Sequence, residues 1–138
     1  MGQSLERFIE AQRTVYDAAL AELRAGAKRG HWMWFVFPQI AGLGRSATAR
    51  FYAIADAVEG GAYLAHPVLG ARLRECTEAM LGWAGHKSAE AILGPIDAMK
   101  FASSMTLYDA VAEDEAPFGR ALAAFNHGER DPLTLERL

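Results

Sequence analysis

Cysteine occurs once in this chain of 138 residues, at Cys76, so no internal disulfide can form. Val, Ile and Thr together supply only 15 residues, which argues against a fold built on sheet. Lysine is scarcer still, with three residues against 11 arginines. The longest apolar run, Trp32 to Phe37, has six residues, far short of the roughly 18 that a membrane-spanning helix needs. No basic stretch followed by an apolar one opens the chain, so a cytoplasmic location without a membrane partner is expected. His31, His66, His86 and His127 lack any short ligand spacing, and neither a metal nor a cofactor is expected. A net charge of -3 argues against a nucleic-acid partner. None of this fixes an oligomeric state.

What the chain has in abundance is alanine, 27 residues. A chain rich in the best helix former and poor in β-branched residues is expected to be all-α. Together with the arginine excess, the alanine content suggests a GC-rich bacterial genome. At 51% hydrophobic and 22% charged residues it has enough apolar surface to fold and too much for intrinsic disorder. The expectation is one all-α domain over residues 1–138, an irregular orthogonal array of six or seven mostly short helices.

Apolar spacing predicts a first helix from Ser4 to Ala25, with Gly26 at its C-terminal cap. Residues 27–45 interrupt the pattern with Gly30, Pro38, Gly42 and Gly44. A second helix is expected from Ser46 to Val58, carrying Phe51, Ile54 and Val58 inward and ended by Gly60-Gly61. Pro67 suits the first position of a helix running through Trp83, and His66 before it suits a cap or turn. Ser88 caps a brief helix ending at Gly94, Pro95 opens one through Val111, and Pro117 opens one through Phe125. Asp131-Pro132 begins a last turn.

The middle of the chain is basic and aromatic. No Asp or Glu lies between Leu23 and Ala55, whereas Arg24, Lys28, Arg29, Arg45 and Arg50 do. The same stretch holds Trp32, Trp34, Phe35, Phe37, Phe51 and Tyr52. Cations beside exposed aromatic faces suit a phosphorylated, ring-bearing ligand. Equally, the aromatics could be core, and Arg24, Lys28 and Arg29 could complement a helix dipole. Gly42-Leu43-Gly44-Arg45-Ser46 reads either as a flexible turn ending in a serine cap or as an anion cradle at a helix start. His31 adjoins this segment. On a helical wheel, Lys100, Ser104 and Asp97 fall at about 40°, 80° and 100°, inside the apolar arc of Leu107, Val111 and Tyr108. Polar groups placed inward must find one another, a distant partner or a ligand. Cys76 falls among apolar residues and reads as a small buried thiol.

Four segments read as one set. They are His31-Trp32-Met33-Trp34-Phe35-Val36-Phe37-Pro38-Gln39, Gly42 to Ser46, Tyr63 to Leu73, and Ser103-Ser104-Met105-Thr106-Leu107. The set resembles a bacterial domain-of-unknown-function family of about 140 residues whose members are sometimes labelled calpastatin. That label does not suit a chain with regular amphipathic segments, because calpastatin is disordered. The resemblance implies a small all-helical cytoplasmic protein with no assigned activity. Phe101-Ala102 stand where the family's pattern has Leu-Arg, which removes a cation beside Ser103.

Two functional expectations follow. The first is a small-molecule site for a nucleotide- or phosphate-bearing ligand, extending to hydrolysis. In it, Trp32 and Trp34 stack, Gln39 reads an amide edge, and Gly42, Gly44, Arg45 and Ser46 hold an anion, with His31 and Ser103 as further contacts. Lys100, Asp97 and Ser104 are its candidate catalytic residues. The second is a protein-interaction module without chemistry, since Trp, Tyr and Arg are also common interface anchors.

Overall fold

Proline and serine punctuation decides much of the C-terminal half. The computed structural model describes residues 4–114 and 116–138. Among them lie ten helices, α1 (Glu6–Gln12), α2 (Tyr16–Ala25), α3 (Met33–Val36), α4 (Ala47–Phe51), α5 (Ala57–Ala65), α6 (Leu69–Leu81), α7 (Ala89–Leu93), α8 (Pro95–Val111), α9 (Pro117–Phe125) and α10 (Pro132–Leu135). Extended pairing among the described residues is confined to a single parallel bridge, Ile40 to Ile54. The fold is all-α, with ten helices rather than six or seven.

The additional helices come from breaks that long-range contacts impose. The expected first helix divides at residues 13–15, where the Val15 N–H closes a short turn on the Gln12 carbonyl at 3.1 Å. The Gln12 side chain is meanwhile buried and donates to the Phe35 carbonyl and the Tyr63 hydroxyl. The helix expected from Ser46 to Val58 stops at Phe51. There the buried Arg7 guanidinium takes the Phe51 carbonyl at 2.8 Å and the Ala53 carbonyl at 2.8 Å. Asp56 then caps a new helix by accepting from the Glu59 N–H. Phe51 and Val58 consequently face outward, Val58 at 82% exposure, and only Ile54 of that trio is buried.

Gly60 and Gly61 do not end a helix but lie within α5. A side chain on Gly60 would sit 3.4 Å from Leu107 and 3.7 Å from Val111, so the glycine lets α5 approach α8 closely. Pro67 precedes α6 by a turn, and α6 ends at Leu81 rather than Trp83. His66 is the cap: its Nδ1 accepts from the N–H groups of Val68 and Leu69. The six-residue apolar run forms the single turn of α3 within an otherwise irregular segment.

α7, α8 and α9 match their expected spans, and Gly26 ends α2 in the left-handed region at φ 71°. α8 is the central element, packed against α5, α7, α9 and α10. Around it Phe37, Tyr63, Phe101, Tyr108 and Phe118 form one contiguous core. Phe37 meets Phe101 edge-on, with ring centroids 5.0 Å apart. Cys76 belongs to this core, and burial pushes its thiol up to about 12. No described helix is long and apolar enough to cross a membrane.

Candidate functional site

The polar stripe on α8 docks the end of the chain. Ser103, Thr106 and Asp109, spaced i, i+3 and i+6, lie along one side of the helix. Ser103 Oγ donates to Asp131 Oδ2 at 3.0 Å, and Thr106 Oγ1 accepts from the Asp131 N–H at 2.9 Å. Arg130 pairs with Asp109 at 2.5 Å. Asp131 Oδ2 also caps α10, accepting from the Thr134 N–H at 3.2 Å and the Thr134 hydroxyl at 2.5 Å. These bonds hold α10 beside α8 and leave a cavity between them.

That cavity has a volume of about 420 Å³, enough for a nucleotide-sized molecule, and opens to solvent. Its walls come from the loop residues Gln39, Leu43 and Gly44, from Ile96 to Ser103 on α8, and from Asn126 to Leu133. Two further open grooves, of about 410 and 430 Å³, share Arg74. Their charged walls are largely spent on surface pairs, Arg74 with Asp114 and Arg120 with Glu78. The cavity beside α8 sets Lys100 among apolar residues, with Glu129, Arg130 and Asp131 also in its lining.

A charged array stands behind its inner end. Asp97 Oδ2 lies 2.9 Å from Lys28 Nζ, and Asp97 Oδ1 lies 3.8 Å from Lys100 Nζ. Each ammonium also lies over an indole: Lys28 over Trp32 at 5.0 Å and Lys100 over Trp34 at 5.3 Å. Lys28 is almost fully buried, while the Lys100 side chain keeps 27% of its exposure and lines the cavity. Lys28 also donates to the Gly30 carbonyl and lies within electrostatic reach of Glu22, so the ammonium of the pair that keeps solvent access is Lys100.

The segment carrying Lys28 is itself fixed by Glu22. Glu22 Oε1 accepts from the N–H groups of Arg29 (2.7 Å) and Gly30 (2.9 Å) and from the Trp32 indole (3.0 Å). Desolvation works against its charge, but these hydrogen bonds and Lys28 outweigh it and hold the carboxyl below its ordinary 4.5.

Of the residues singled out in the sequence, Gln39, Gly44, Lys100 and Ser103 meet in the cavity, and Asp97 and Trp34 adjoin it through Lys100. Others do not. Trp32 is 1% exposed, packs against Phe37 and gives its indole N–H to Glu22, so it is core rather than a stacking platform. Ser104 is fully buried with its hydroxyl unpaired, as is the Tyr108 hydroxyl, which removes Ser104 as a reachable nucleophile. His31 and Arg45 are exposed and do not line the cavity. Ser46 is exposed and accepts from the Ala49 N–H as the cap of α4, a helix of only five residues. Gly42 adopts φ 99° with Arg137 lying over it, and Gly44 lets the loop pack on Ala49, where a side chain would approach to 2.5 Å. These contacts account for both glycines by packing.

Ser104, Leu107 and Tyr108 are buried as helical spacing predicts, but α8 has no single apolar face. Ala98 and Thr106, on its opposite sector, are buried as well, while Ile96 and Met99 are 71% and 74% exposed. Lys28 and the segment from Asn126 to Leu133 escaped sequence reasoning as site residues. The Asp131-Pro132 cap was the one local signal for that segment. Among the described residues, no three His, Cys, Asp or Glu side chains cluster closely enough to hold a metal ion.

Residues 2–138 match the model of the family described as protein of unknown function DUF1810. The chain is a member of the DUF1810 family. Among solved structures it is similar to the conserved hypothetical protein Rv1873 from Mycobacterium tuberculosis. That similarity has a TM-score of 0.93 and 46% identity over 97% of this chain and 95% of the other. No curated protein matches the chain. The expected family and all-α architecture therefore hold, and the DUF1810 description carries no activity.

Proposed function

We propose that the cavity between α8, α10 and the 39–44 loop binds a small organic anion, a nucleotide- or phosphate-bearing molecule in size and charge. The observation that carries this reading is the Lys100 ammonium, which lines the cavity and has only a long contact to Asp97. Asp97 is already paired with Lys28 at the shorter distance, so the Lys100 ammonium can form a charge-assisted hydrogen bond with a phosphate or carboxylate. Asp97 acts as an orienting group, and Trp34 supports the ammonium from beneath. Leu43, Ile96, Met99 and Leu133 offer apolar surface to the ligand's body. The geometry lends no support to hydrolysis, because Ser104 is out of reach and the Ser103 hydroxyl is committed to Asp131.

A thermal-shift screen of nucleoside monophosphates, sugar phosphates and small carboxylates tests the reading. A ligand present at 100 times its Kd adds about 2.7 kcal/mol to stability, a readily measured rise in Tm. The rise should vanish in Lys100→Met while that variant stays folded without ligand.

A second reading has its own support. Ile96, Met99 and Leu133 are well exposed around the mouth of the cavity, and a contiguous apolar rim of this kind suits a protein partner. It is favoured if no small anion raises Tm.

A further inference from the structure

We infer that the cavity selects an amphoteric ligand, a small ring-bearing phosphate or carboxylate with an amine at its opposite end. This rests on the anion-binding reading above and adds what the far side of the cavity recognises.

Four residues with charged side chains line the cavity: Lys100, Glu129, Arg130 and Asp131. Arg130 is neutralised by Asp109. Lys100 therefore stands against two carboxylates, and that of Asp131 is displaced from it along α8. The Lys100 side chain turns back toward Asp97 and Trp34, nearer the start of the helix. Asp131 docks on Ser103 and Thr106, one to two turns further on, or roughly 5–9 Å along the axis.

The carboxylate end keeps acceptor capacity. Every side-chain hydrogen bond that Asp131 accepts from a described residue goes to Oδ2, and none goes to Oδ1. The Glu129 carboxylate enters no ion pair among the described residues, and only its backbone is engaged, with Asn126. An anion that extended from Lys100 along the cavity as a chain of phosphates would run into these two carboxylates. A molecule with its anion at one end and an ammonium at the other would satisfy both ends, its ring lying over Ala102, Met99 and Leu133. The lining thus disfavours polyphosphates and favours a compact amine-bearing monoanion or monophosphate.

O-Phosphotyramine and 4-(2-hydroxyethyl)phenyl phosphate provide the test, because they share ring and phosphate and differ only in an ammonium against a hydroxyl at the end of the molecule opposite the phosphate. Titrated calorimetrically onto the wild-type protein, the amine should bind about tenfold more tightly, the gain expected of one charge-assisted hydrogen bond. Glu129→Gln, an exposed position outside the bonds that dock α10, should shrink that ratio by weakening the binding of the amine without weakening that of the alcohol. Equal affinities, with both ligands lost in Lys100→Met, would overturn the amphoteric selection and leave the anion site standing. Binding of neither probe, together with a silent screen of simple anions, would overturn both.

Discussion

Lys28 Nζ lies 2.9 Å from Asp97 Oδ2 and ties the loop after α2 to the first turn of α8. The two residues are 69 positions apart in the chain, yet their pairing decides what Lys100 can do. With Asp97 satisfied from one side, Lys100 is held by a longer contact and faces the cavity. Lys28→Met should therefore weaken anion binding although Lys28 does not line the cavity, because Lys100 would then be the sole partner of Asp97. Removing one partner of this largely buried pair should also cost about 1–3 kcal/mol, below the full cost of a deeply buried pair because Asp97 keeps some solvent contact. Denaturant unfolding and ligand titration on the same variant check both parts.

Glu22 gives the fold a pH dependence in the acid range. Its carboxyl is held below 4.5 in the folded protein, so its contribution is present above the unfolded value and is lost as pH falls through the folded one. Glu22→Gln should destabilise at neutral pH, and the gap from wild type should narrow below about pH 4. Urea unfolding at pH 7, 5 and 3.5 measures this. A gap independent of pH would assign the loss to packing alone.

Asp131 holds a cavity wall as well as capping a helix. Asp131→Ala removes the bonds to Ser103 and Thr134 and should cost about 1–2 kcal/mol. Its sharper signature is local: amides of residues 131–138 should exchange faster with solvent while those of α6 stay protected. Uniform acceleration across the chain would show that the segment is not a separable wall.

Gly70, within a segment that marks the family resemblance, has a steric reason to be glycine. A Cβ there would lie 2.0 Å from the Leu64 carbonyl oxygen, where α5 hands over to α6. Gly70→Ala should destabilise by about 3 kcal/mol or more, since backbone must move to admit the methyl group. Thermal unfolding would detect the fall directly, and an unchanged Tm would refute the close approach.

Legibility in the sequence followed the reach of the forces involved. α7, α8 and α9 were readable because Ser88, Pro95 and Pro117 act on their own first turns. The break after Phe51 was not, because it depends on Arg7 reaching carbonyls 44 and 46 residues away. Gly60-Gly61 misled for a related reason: as a local signal it ends helices, but here Gly60 serves the approach to Leu107. In the candidate site, the inward placement of Lys100 and Asp97 could be read from helical spacing. The opposite wall could not, since a short terminal turn says nothing of where it docks.

Ala102 lines the cavity at a position where an arginine would add a further cation. Ala102→Arg should tighten binding of inorganic phosphate about fivefold to tenfold, the gain of one further charged hydrogen bond partly screened by solvent. Phosphate titration at low and high salt checks this, and the gain should fade as salt rises.

The central claim, that a small anion binds against Lys100 in the cavity beside α10, is tested most directly by amide chemical-shift mapping with a saturating organic monophosphate. The account predicts shifts gathered at residues 39–44, 96–103 and 126–133, and their loss in Lys100→Met. Shifts centred instead on Arg74 and Arg120, or a map that Lys100→Met leaves unchanged, would contradict it.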